Sequence, residues 1–414
     1  MRLRLLHDAT TTENRVALVP EGVEKLTRKG WEVHVERGAG TAAGFVDTAY
    51  QQAGATIVEQ GDETPTDVVV SVGDAAVRNH PDNEMSATVF VGVFDPLWAP
   101  QRALQHANAG VSAFSLDLVP RITRAQSMDV LSSMATIAGY EAVLLAARNL
   151  PQMFPLMMTA AGTLTPAKVL VLGAGVAGLT AIGTARRLGG VVEAYDVRPE
   201  ALEQIRSLGA RAVEIDTSAA QSENNSTNPS GYAAAQSEDT ARIQRELLAP
   251  HVADADVVIA TAAVPGRASP LLVTTEMVDG MGEGSLLVDL AAERGGNCEL
   301  TEADQVVHRN GVTIFGPTNL TSDCARHASQ MFSGNLVAFL EHLVPEGAID
   351  LRNDDEIIAA MLVTHNGSVV HQAVAAALNP DPDPAPDPAP APERDHPAPK
   401  PDPAPNPETK IGEN

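Results

Sequence analysis

A glycine-rich turn between an apolar strand pattern and a helical pattern most strongly limits the folds open to this chain. The segment reads Val169-Leu-Val-Leu-Gly173-Ala-Gly175-Val-Ala-Gly178. At this spacing the first glycine permits a tight turn, the second lets a pyrophosphate approach the backbone, and the third allows the helix to pack on its strand. Unsatisfied N–H groups at the start of the helix then stabilise phosphate charge. The segment therefore predicts a Rossmann-type turn that binds a dinucleotide.

The next predicted strand supports this interpretation. Val191-Val-Glu-Ala-Tyr-Asp196 ends in a carboxylate eighteen residues after Gly178. A carboxylate at this place accepts hydrogen bonds from the adenosine ribose hydroxyls and repels a 2′-phosphate, which favours NAD(H) over NADP(H). Arg198 follows closely and weakens that preference, since an arginine can bind a 2′-phosphate.

Two later strand ends add candidate contacts, because ligands enter open α/β sheets beyond the carboxyl ends of strands. Small residues at 260–263 suit a close approach of the adenosine. Asp289 is flanked by apolar residues and needs a partner if it is buried. It binds the nicotinamide ribose or caps the turn at Glu293–Asn297, and the sequence leaves both open. The predicted cofactor contacts are Gly173, Ala174, Gly175, Val176, Ala177, Gly178, Asp196, Val197, Arg198, Thr261, Ala262, Ala263, Asp289 and Glu293.

The pattern along the chain predicts an α/β protein with two Rossmann-like domains, each with a parallel sheet, separated by a cleft. Residues 1–125 alternate predicted strands with helices. No glycine-rich turn follows these strands, so the first domain is expected to bind no dinucleotide of its own. Residues 126–320 form the predicted NAD(H)-binding domain. It opens with a helical pattern at 126–149 that is apolar nearly all round and predicts a helix buried between the domains.

The remaining segments complete the predicted organisation. Helical patterns at 322–343 and 354–375 are expected to return to the first domain, which then includes about residues 321–379. Residues 216–238 are polar with small side chains, and a loop of this length is usually mobile or functional. Residues 380–414 are rich in Pro, Asp and Ala and bury no core, so we expect a disordered tail, with a spacer or partner ligand as alternatives.

The net charge of −25 argues against a nucleic-acid partner, because phosphate binding needs a basic face. The basic side is nearly all arginine. Lysine stands only at Lys25, Lys29, Lys168, Lys400 and Lys410. An acidic, lysine-poor surface indicates either a solvent of high ionic strength or a GC-rich genome, and the sequence does not decide between them.

Cysteine usage and hydropathy predict a cytoplasmic chain. Cys298 and Cys324 cannot build a disulfide framework, and no Cys/His constellation suggests a metal. The uncharged stretch Val169–Ala185 has about 17 residues, short of the roughly 20 that a span needs. Residues 1–7 lack a continuous apolar core, so no signal peptide is expected.

One further segment carries a resemblance to a known family. Arg121-Ile-Thr-Arg-Ala-Gln126-Ser-Met-Asp129-Val-Leu-Ser132 resembles the signature loop of the NAD(H)-binding component, domain I, of proton-translocating NAD(P) transhydrogenases. The resemblance is collinear over about residues 1–345, and alanine dehydrogenases share the fold. Further matches are Glu13-Asn-Arg15-Val-Ala, Gly38-Ala-Gly40, Gly44-Phe, the glycine turn, Gly231-Tyr232-Ala and Val288-Asp289-Leu-Ala-Ala-Glu293-Arg-Gly-Gly-Asn297.

The resemblance implies roles for particular residues and partners. Arg121, Gln126, Asp129 and Ser132 would lie at the nicotinamide ring and orient its carboxamide and ribose. Tyr232 would lie at the tip of a mobile loop that closes over the nucleotide. The family also implies a homodimer, NADP(H) bound only on a partner subunit, and membrane-spanning subunits that hold the chain at the cytoplasmic side and translocate protons.

Two alternatives remain at this stage: an alanine dehydrogenase-like enzyme and a non-catalytic NAD(H)-binding module. Reducing an imino or keto acid requires a proton donor beside the hydride acceptor. Alanine dehydrogenases carry a Lys and a His after two strands of the first domain, where this chain reads Gly73-Asp-Ala-Ala and Phe94-Asp-Pro-Leu-Trp98. Hydride passing between two nicotinamide rings needs no side-chain acid. Arg15 is either an inherited carboxylate clamp or a member of a surface or interdomain ion pair.

Overall fold

Two open sheets, both built mainly from parallel strands, organise the computed structural model of this protein. The predicted α/β class with two parallel-sheet domains is confirmed. The structure describes residues 1–8, 12–62, 64–75, 89–215, 238–264, 266–345, 347–351 and 354–379. The predicted tail from Pro380 and all but the last residue of the predicted loop 216–238 lie outside the described residues.

The first sheet has the doubly wound strand order of nucleotide-binding folds. Its strands are β1 (Arg2–Leu5), β2 (Glu32–Glu36), β3 (Thr56–Val58), β4 (Val68–Val70), β5 (Val89–Gly92) and β6 (Ser112–Ser115). They lie in the order β3-β2-β1-β4-β5-β6, and all neighbours are parallel. Every residue of β4 and β5 is buried, which explains why these strands read as continuous apolar runs.

The second sheet repeats the same winding and adds an antiparallel edge. Residues 157–164 form a separate hairpin of β7 (Met157–Thr159) and β8 (Gly162–Leu164) before it. The strands of the sheet are β9 (Lys168–Leu172), β10 (Val191–Tyr195), β11 (Arg211–Ala212), β12 (Val257–Ala260), β13 (Leu286–Asp289), β14 (Val306–Arg309) and β15 (Val312–Phe315). Their order is β11-β10-β9-β12-β13-β15-β14, with β14 antiparallel to β15. The carboxyl ends of β9, β10, β12 and β13 therefore meet at one edge.

Helices connect the strands on both faces of the sheets. Three of them begin with proline, whose missing N–H and fixed φ suit the first helical position. Within the described residues, the α-helices with assigned bounds are Pro20–Arg28, Asp47–Gln52, Pro100–Asn108, Val130–Asn149, Val176–Arg187, Pro199–Ser207, Glu238–Asp254, Thr275–Asp279, Ala325–Leu343, Glu356–Met361 and Gln372–Leu378.

Two Asn-Gly turns correct the sequence analysis. The segment 354–375 was expected to be helical, but β16 (Thr364–His365) and β17 (Ser368–Val369) form a hairpin between two short helices. Asn366 and Gly367 adopt φ values of 48° and 73°, as the favoured two-residue hairpin turn requires. Asn310 and Gly311, at 46° and 80°, make the same turn between β14 and β15, which the analysis omitted.

The predicted helix at 126–149 begins later than expected. Residues Thr123–Met128 form a 3₁₀ turn, and the α-helix Val130–Asn149 follows with Asp129 as its N-cap. Among the described residues, this is the one helix long and apolar enough to cross a membrane by length and composition, and a third of its most apolar window is buried within the protein. Its buried face, which includes Gly139, Ala142 and Ala146, packs inside the protein as that of a core helix does.

The last helices of the described chain pack on the first sheet. Leu336, Phe339 and Met361 lie in the same hydrophobic cluster as Leu3 and Leu5 of β1. The ring of Phe339 lies 5.3 Å from that of Phe114 on β6. The chain thus leaves the second domain after β15 and completes the core of the first.

We expect Gly139→Ala to destabilise the protein at the contact between the helices Val130–Asn149 and Val176–Arg187. A Cβ at Gly139 would lie 2.1 Å from the carbonyl oxygen of Ala177, a backbone atom that cannot move aside cheaply. The expected loss is about 1–3 kcal/mol of unfolding free energy, measured by chemical denaturation.

Gly183→Ala on the facing helix is the matched control, because a Cβ there meets no atom within 4 Å. This control should be neutral or stabilise by up to about 1 kcal/mol, since alanine favours the helix. Equal effects of the two substitutions would contradict the packing described.

Candidate functional site

The glycine turn has the geometry that its sequence predicts. Gly173, directly after β9, has φ of +96°, and a Cβ there would lie 2.8 Å from the hydroxyl oxygen of Thr261. A Cβ at Gly178 would lie 1.9 Å from the carbonyl oxygen of Gly173. Neither position therefore admits a side chain while the helix Val176–Arg187 stays packed on its strand.

Gly175 differs from the other two glycines because the protein itself does not require it. Its φ of −77° and ψ of −167° are extended backbone that any residue adopts. A Cβ there would meet no atom within 4 Å. Gly175 is the N-cap of the helix and no side chain caps that end, so the first N–H groups remain available to an anion. The turn, including Ala174, Val176 and Ala177, thus leaves open space where a diphosphate would lie.

Asp196 is more heavily engaged than the sequence suggested. Its Oδ2 accepts a hydrogen bond from the amide of Ala174 at 2.7 Å. Arg198 donates from its amide and its Nε to Oδ1, both at 2.9 Å, and from a terminal guanidinium nitrogen to Oδ2 at 2.9 Å. Burial raises the pKa of Asp196, but the hydrogen bonds from Arg198 and Ala174 outweigh it and lower the pKa below its usual value.

The predicted contact of Asp196 with the adenosine ribose stays a prediction, and the structure shows what such a contact would have to displace. Four donated hydrogen bonds fill the acceptor sites of a carboxylate. In this conformation Asp196 links the glycine turn to Arg198, while Val197 between them is exposed. A ribose hydroxyl would gain access to Asp196 by displacing a guanidinium bond.

The strand end at 261–263 is held by an asparagine to which the sequence analysis gave no role. The hydroxyl of Thr261 donates to the carbonyl oxygen of Gly173 at 3.0 Å, which ties β12 to the glycine turn. Asn297 accepts from the amide of Ala262 at 3.0 Å and donates to its carbonyl oxygen at 2.8 Å. Ala263 follows directly. The sequence feature that could have indicated this role is the position of Asn297 directly after Gly295 and Gly296, in the turn that follows β13.

Asp289 caps the following turn, the second of its two predicted roles. It is fully buried and accepts hydrogen bonds from the amides of Ala291, Asn297 and Cys298 at 2.9, 2.6 and 3.0 Å. The hydroxyl of Thr301 donates a fourth at 2.7 Å. Its predicted contact with the nicotinamide ribose is therefore not available in this conformation. Glu293, on the same turn, is exposed.

The loop predicted to meet the nicotinamide ring lies at the start of the helix Val130–Asn149. Arg121 and Gln126 are exposed. Asp129 accepts hydrogen bonds from the amide of Ser132 at 2.9 Å and from its hydroxyl at 2.5 Å. The side chain of Asp129 therefore caps the helix, and the hydroxyl of Ser132 holds that carboxylate in place. The structure brings the four predicted residues into one segment. Tyr232, the fifth, lies outside the described residues.

Arg15 forms an ion pair, but the pair is largely buried within the first domain and lies neither on the surface nor between the domains, the two places that the sequence analysis had considered. Its Nε and one terminal nitrogen donate to the carboxylate of Glu13 at 2.8 and 2.7 Å, and both side chains are largely buried. Glu13 also accepts from the hydroxyl of Ser322 at 2.8 Å. The guanidinium is thus occupied by a carboxylate of the same chain.

Both domains match one protein family. The alanine dehydrogenase/PNT N-terminal domain matches residues 6–138 and the alanine dehydrogenase/PNT C-terminal domain matches residues 142–372. The chain belongs to this alanine dehydrogenase/PNT family, as the resemblance in its sequence implied.

Within the family, the transhydrogenases resemble the chain more than the alanine dehydrogenases do. An NAD(P) transhydrogenase subunit alpha protein of Rhodospirillum rubrum is 39% identical over 382 residues, which cover 90% of this chain and 99% of that protein. The crystal structure of transhydrogenase from Sinorhizobium meliloti has 41% identity and a TM-score of 0.77, covering 90% of this chain and 100% of that one. Alanine dehydrogenase of Bacillus subtilis is 28% identical over 375 residues, covering 88% of this chain and 92% of that protein.

Asp117, which follows β6, is expected to make stability depend on pH. Burial raises its pKa from 3.8 to about 6, against the hydrogen bond from the hydroxyl of Ser115. The stability that the protonated form contributes is complete below pH 3.8 and is lost as the pH rises through about 6. Asp117→Asn should therefore stabilise the protein at pH 7.5, by up to about 2 kcal/mol, and much less at pH 4, close to the unfolded pKa.

Denaturant unfolding at the two pH values measures this difference. Asp354→Asn, at an exposed position, is the matched control and should change stability little at either pH. An Asp117→Asn variant less stable than the parent at pH 7.5 would contradict the assignment.

Proposed function

We propose that this chain is the NAD(H)-binding subunit of a proton-translocating transhydrogenase and passes hydride from NADH directly to NADP⁺ held on a partner subunit. The observation that carries the proposal is Gly175, whose backbone and surroundings accept any side chain although the sequence keeps a glycine there. A glycine at this position keeps the space above the turn open for a ligand, which the packing of the protein alone does not require. The similarity to the transhydrogenase subunit alpha protein of Rhodospirillum rubrum over 90% of the chain supports the same function.

The residues of the chain bind and orient the nucleotide. The amides that begin the helix Val176–Arg187 hold the diphosphate, and Thr261 and Asn297 keep the adjacent strand end close to the glycine turn. Bound NADH supplies the hydride. Arg121, Gln126, Asp129 and Ser132 orient the nicotinamide end, and we propose that Tyr232 covers it. Direct transfer between two rings requires contact distance and exclusion of water, not a side-chain acid or base.

The arrangement disfavours the alanine dehydrogenase alternative. That reaction needs a cationic clamp for the carboxylate of the keto acid and a proton donor. Arg15 is paired with Glu13. Asp74 and Asp95 follow β4 and β5, where the alanine dehydrogenases have Lys and His. These carboxylates, which lie beside His106 and Arg294, supply neither a cation nor the proton donor at those two places.

One pair of assays tests the function against both alternatives. The chain mixed with an NADP(H)-binding transhydrogenase subunit should transfer hydride between the two nucleotides. It should oxidise NADH no faster when pyruvate and ammonia are added. Turnover that depends on pyruvate would establish the dehydrogenase, and NADH binding without any hydride exchange would establish the non-catalytic module.

Gly175→Val should strongly weaken NADH binding while leaving the fold intact. The valine side chain would enter the open space above the turn and block the diphosphate, without touching any protein atom within 4 Å of its Cβ. Calorimetric titration should show a loss of NADH affinity of at least about 30-fold relative to the parent chain, which itself should bind NADH in preference to NADPH.

Gly183→Ala is the control on the same helix and should bind NADH as the parent does. Unchanged NADH affinity in a folded Gly175→Val variant would rule out the proposed diphosphate site.

We further propose a homodimer that attaches to the cytoplasmic face of the membrane through partner subunits. All six residues of the strands β7 and β8 are exposed, and Met158, Leu156 and Leu164 are 77%, 58% and 49% exposed. A two-stranded hairpin alone is marginally stable in water, and apolar surface of this kind marks an interface. We propose that a second copy of the chain covers this exposed hairpin in the homodimer.

Light scattering should give twice the chain mass at micromolar concentration, and Met158→Lys should shift the protein toward the monomer. Lys168→Met is the control. It replaces a charged side chain by an apolar one at an exposed ion pair, the reverse of Met158→Lys, and should leave the measured mass of the protein unchanged. A parent chain that is monomeric at high concentration would overturn the dimer.

A further inference from the structure

Among the contacts that join the two domains in the described residues, a polar one and an apolar one start from the loop that follows β5. Asp95 and Arg294 form an ion pair, with a carboxylate oxygen and a guanidinium nitrogen 2.7 Å apart. Leu97 lies against Gly266, where an added Cβ would come within 3.1 Å of the Cβ of Leu97. Asp95 and Leu97 belong to the first domain, Gly266 and Arg294 to the second. One short loop thus makes both a polar and an apolar link.

The loop is shaped to make these links. Asp95 has a positive φ of 46°, a conformation that a non-glycine residue adopts at some cost. The amides of Trp98 and Ala99 donate to its carbonyl oxygen at 3.1 and 2.8 Å, which closes a tight turn. The side chain of Arg102 donates to the carbonyl oxygen of Phe94 at 3.2 Å and holds the other end. These hydrogen bonds within the turn hold Asp95 in the position from which its carboxylate contacts the second domain.

Arg294 offsets more than one negative charge at this place. Burial raises the pKa of Asp95, and the charge of Arg294 opposes that rise. Asp117 and Glu293 also lie within electrostatic range of Arg294. Arg102 also acts on Asp95 and Glu293. Without the guanidinium of Arg294, Arg102 would face the three carboxylates of the two domains, and the excess of like charge at short range favours separation. The side chains of Asp95 and Arg294 are only 17% and 23% exposed, so water screens this pair less than it screens a surface pair.

The contacts lie beside the nucleotide site. Arg294 follows the turn after β13, and Gly266 follows the strand end at 261–263, so both stand at the edge of the sheet where ligands enter. We propose that residues 95–99 form an interdomain latch that must open for NAD(H) to enter or leave the cleft, and that the Asp95–Arg294 pair sets the rate of this exchange. The proposal rests on the proposed function, since it needs NAD(H) in the cleft.

The test measures the rate at which NADH leaves the full chain when displaced by excess NAD⁺ in a stopped-flow fluorimeter. Asp95→Asn and Arg294→Gln should each speed release by about three- to tenfold. The charge exchange Asp95→Arg with Arg294→Asp should return the rate toward that of the parent. Leu97→Ala, which shortens the apolar link alone, should speed release without adding salt dependence. In the parent, release should become faster as salt is raised, and in Asp95→Asn it should do so less.

Arg309→Gln is the matched control, because it removes an exposed ion pair with Asp279 at 2.7 Å in the same domain. Its release rate should equal that of the parent. A parent chain that binds no NADH would overturn the proposed function and the latch together. NADH binding with release rates that stay within twofold in Asp95→Asn, Arg294→Gln and Leu97→Ala would overturn the latch alone.

Discussion

The close approach of Gly178 to the carbonyl oxygen of Gly173 is the contact on which the rest of the structure depends. With 1.9 Å between that oxygen and a hypothetical Cβ, only glycine lets the helix Val176–Arg187 start directly above β9. The helix then offers its uncapped amides at the edge of the sheet. Gly139 makes a second contact of this kind. Because it has no side chain, the helix that Asp129 caps, with Ser132 in its first turn, packs directly on the backbone of Ala177. Backbone contact thus connects both halves of the candidate site.

Carboxylates organise the loops around this contact. Asp129 caps a helix, Asp196 joins the glycine turn to Arg198, and Asp289 gathers three amides and a hydroxyl. The sequence analysis predicted that all three carboxylates lie near the cofactor, because carboxylates at strand and helix ends are typical ligand contacts. It could not show how many backbone donors each would meet, since those donors come from turns whose shape depends on the completed fold. The hydrogen bonds of Asn297 with Ala262 could not be predicted for the same reason. The role of Tyr232 stays a prediction.

The fold itself was largely predictable where strands are buried on both faces. β4, β5, β9, β12 and β13 appear as apolar runs bounded by polar residues, and their alternation with helices indicates parallel sheets. The errors fall where a short-range signal was overlooked. Asn310-Gly311 and Asn366-Gly367 each specify a hairpin turn, yet the strands beside them are only two to four residues long and carry little periodicity.

A crystal structure of the chain grown with excess NADH tests the central claim most directly. The account predicts the diphosphate against the amides of residues 175–178, with the adenosine ribose beside Asp196 and Arg198 and the nicotinamide toward Gln126. A diphosphate bound elsewhere on the chain, or a glycine turn left empty at saturating NADH, would contradict it.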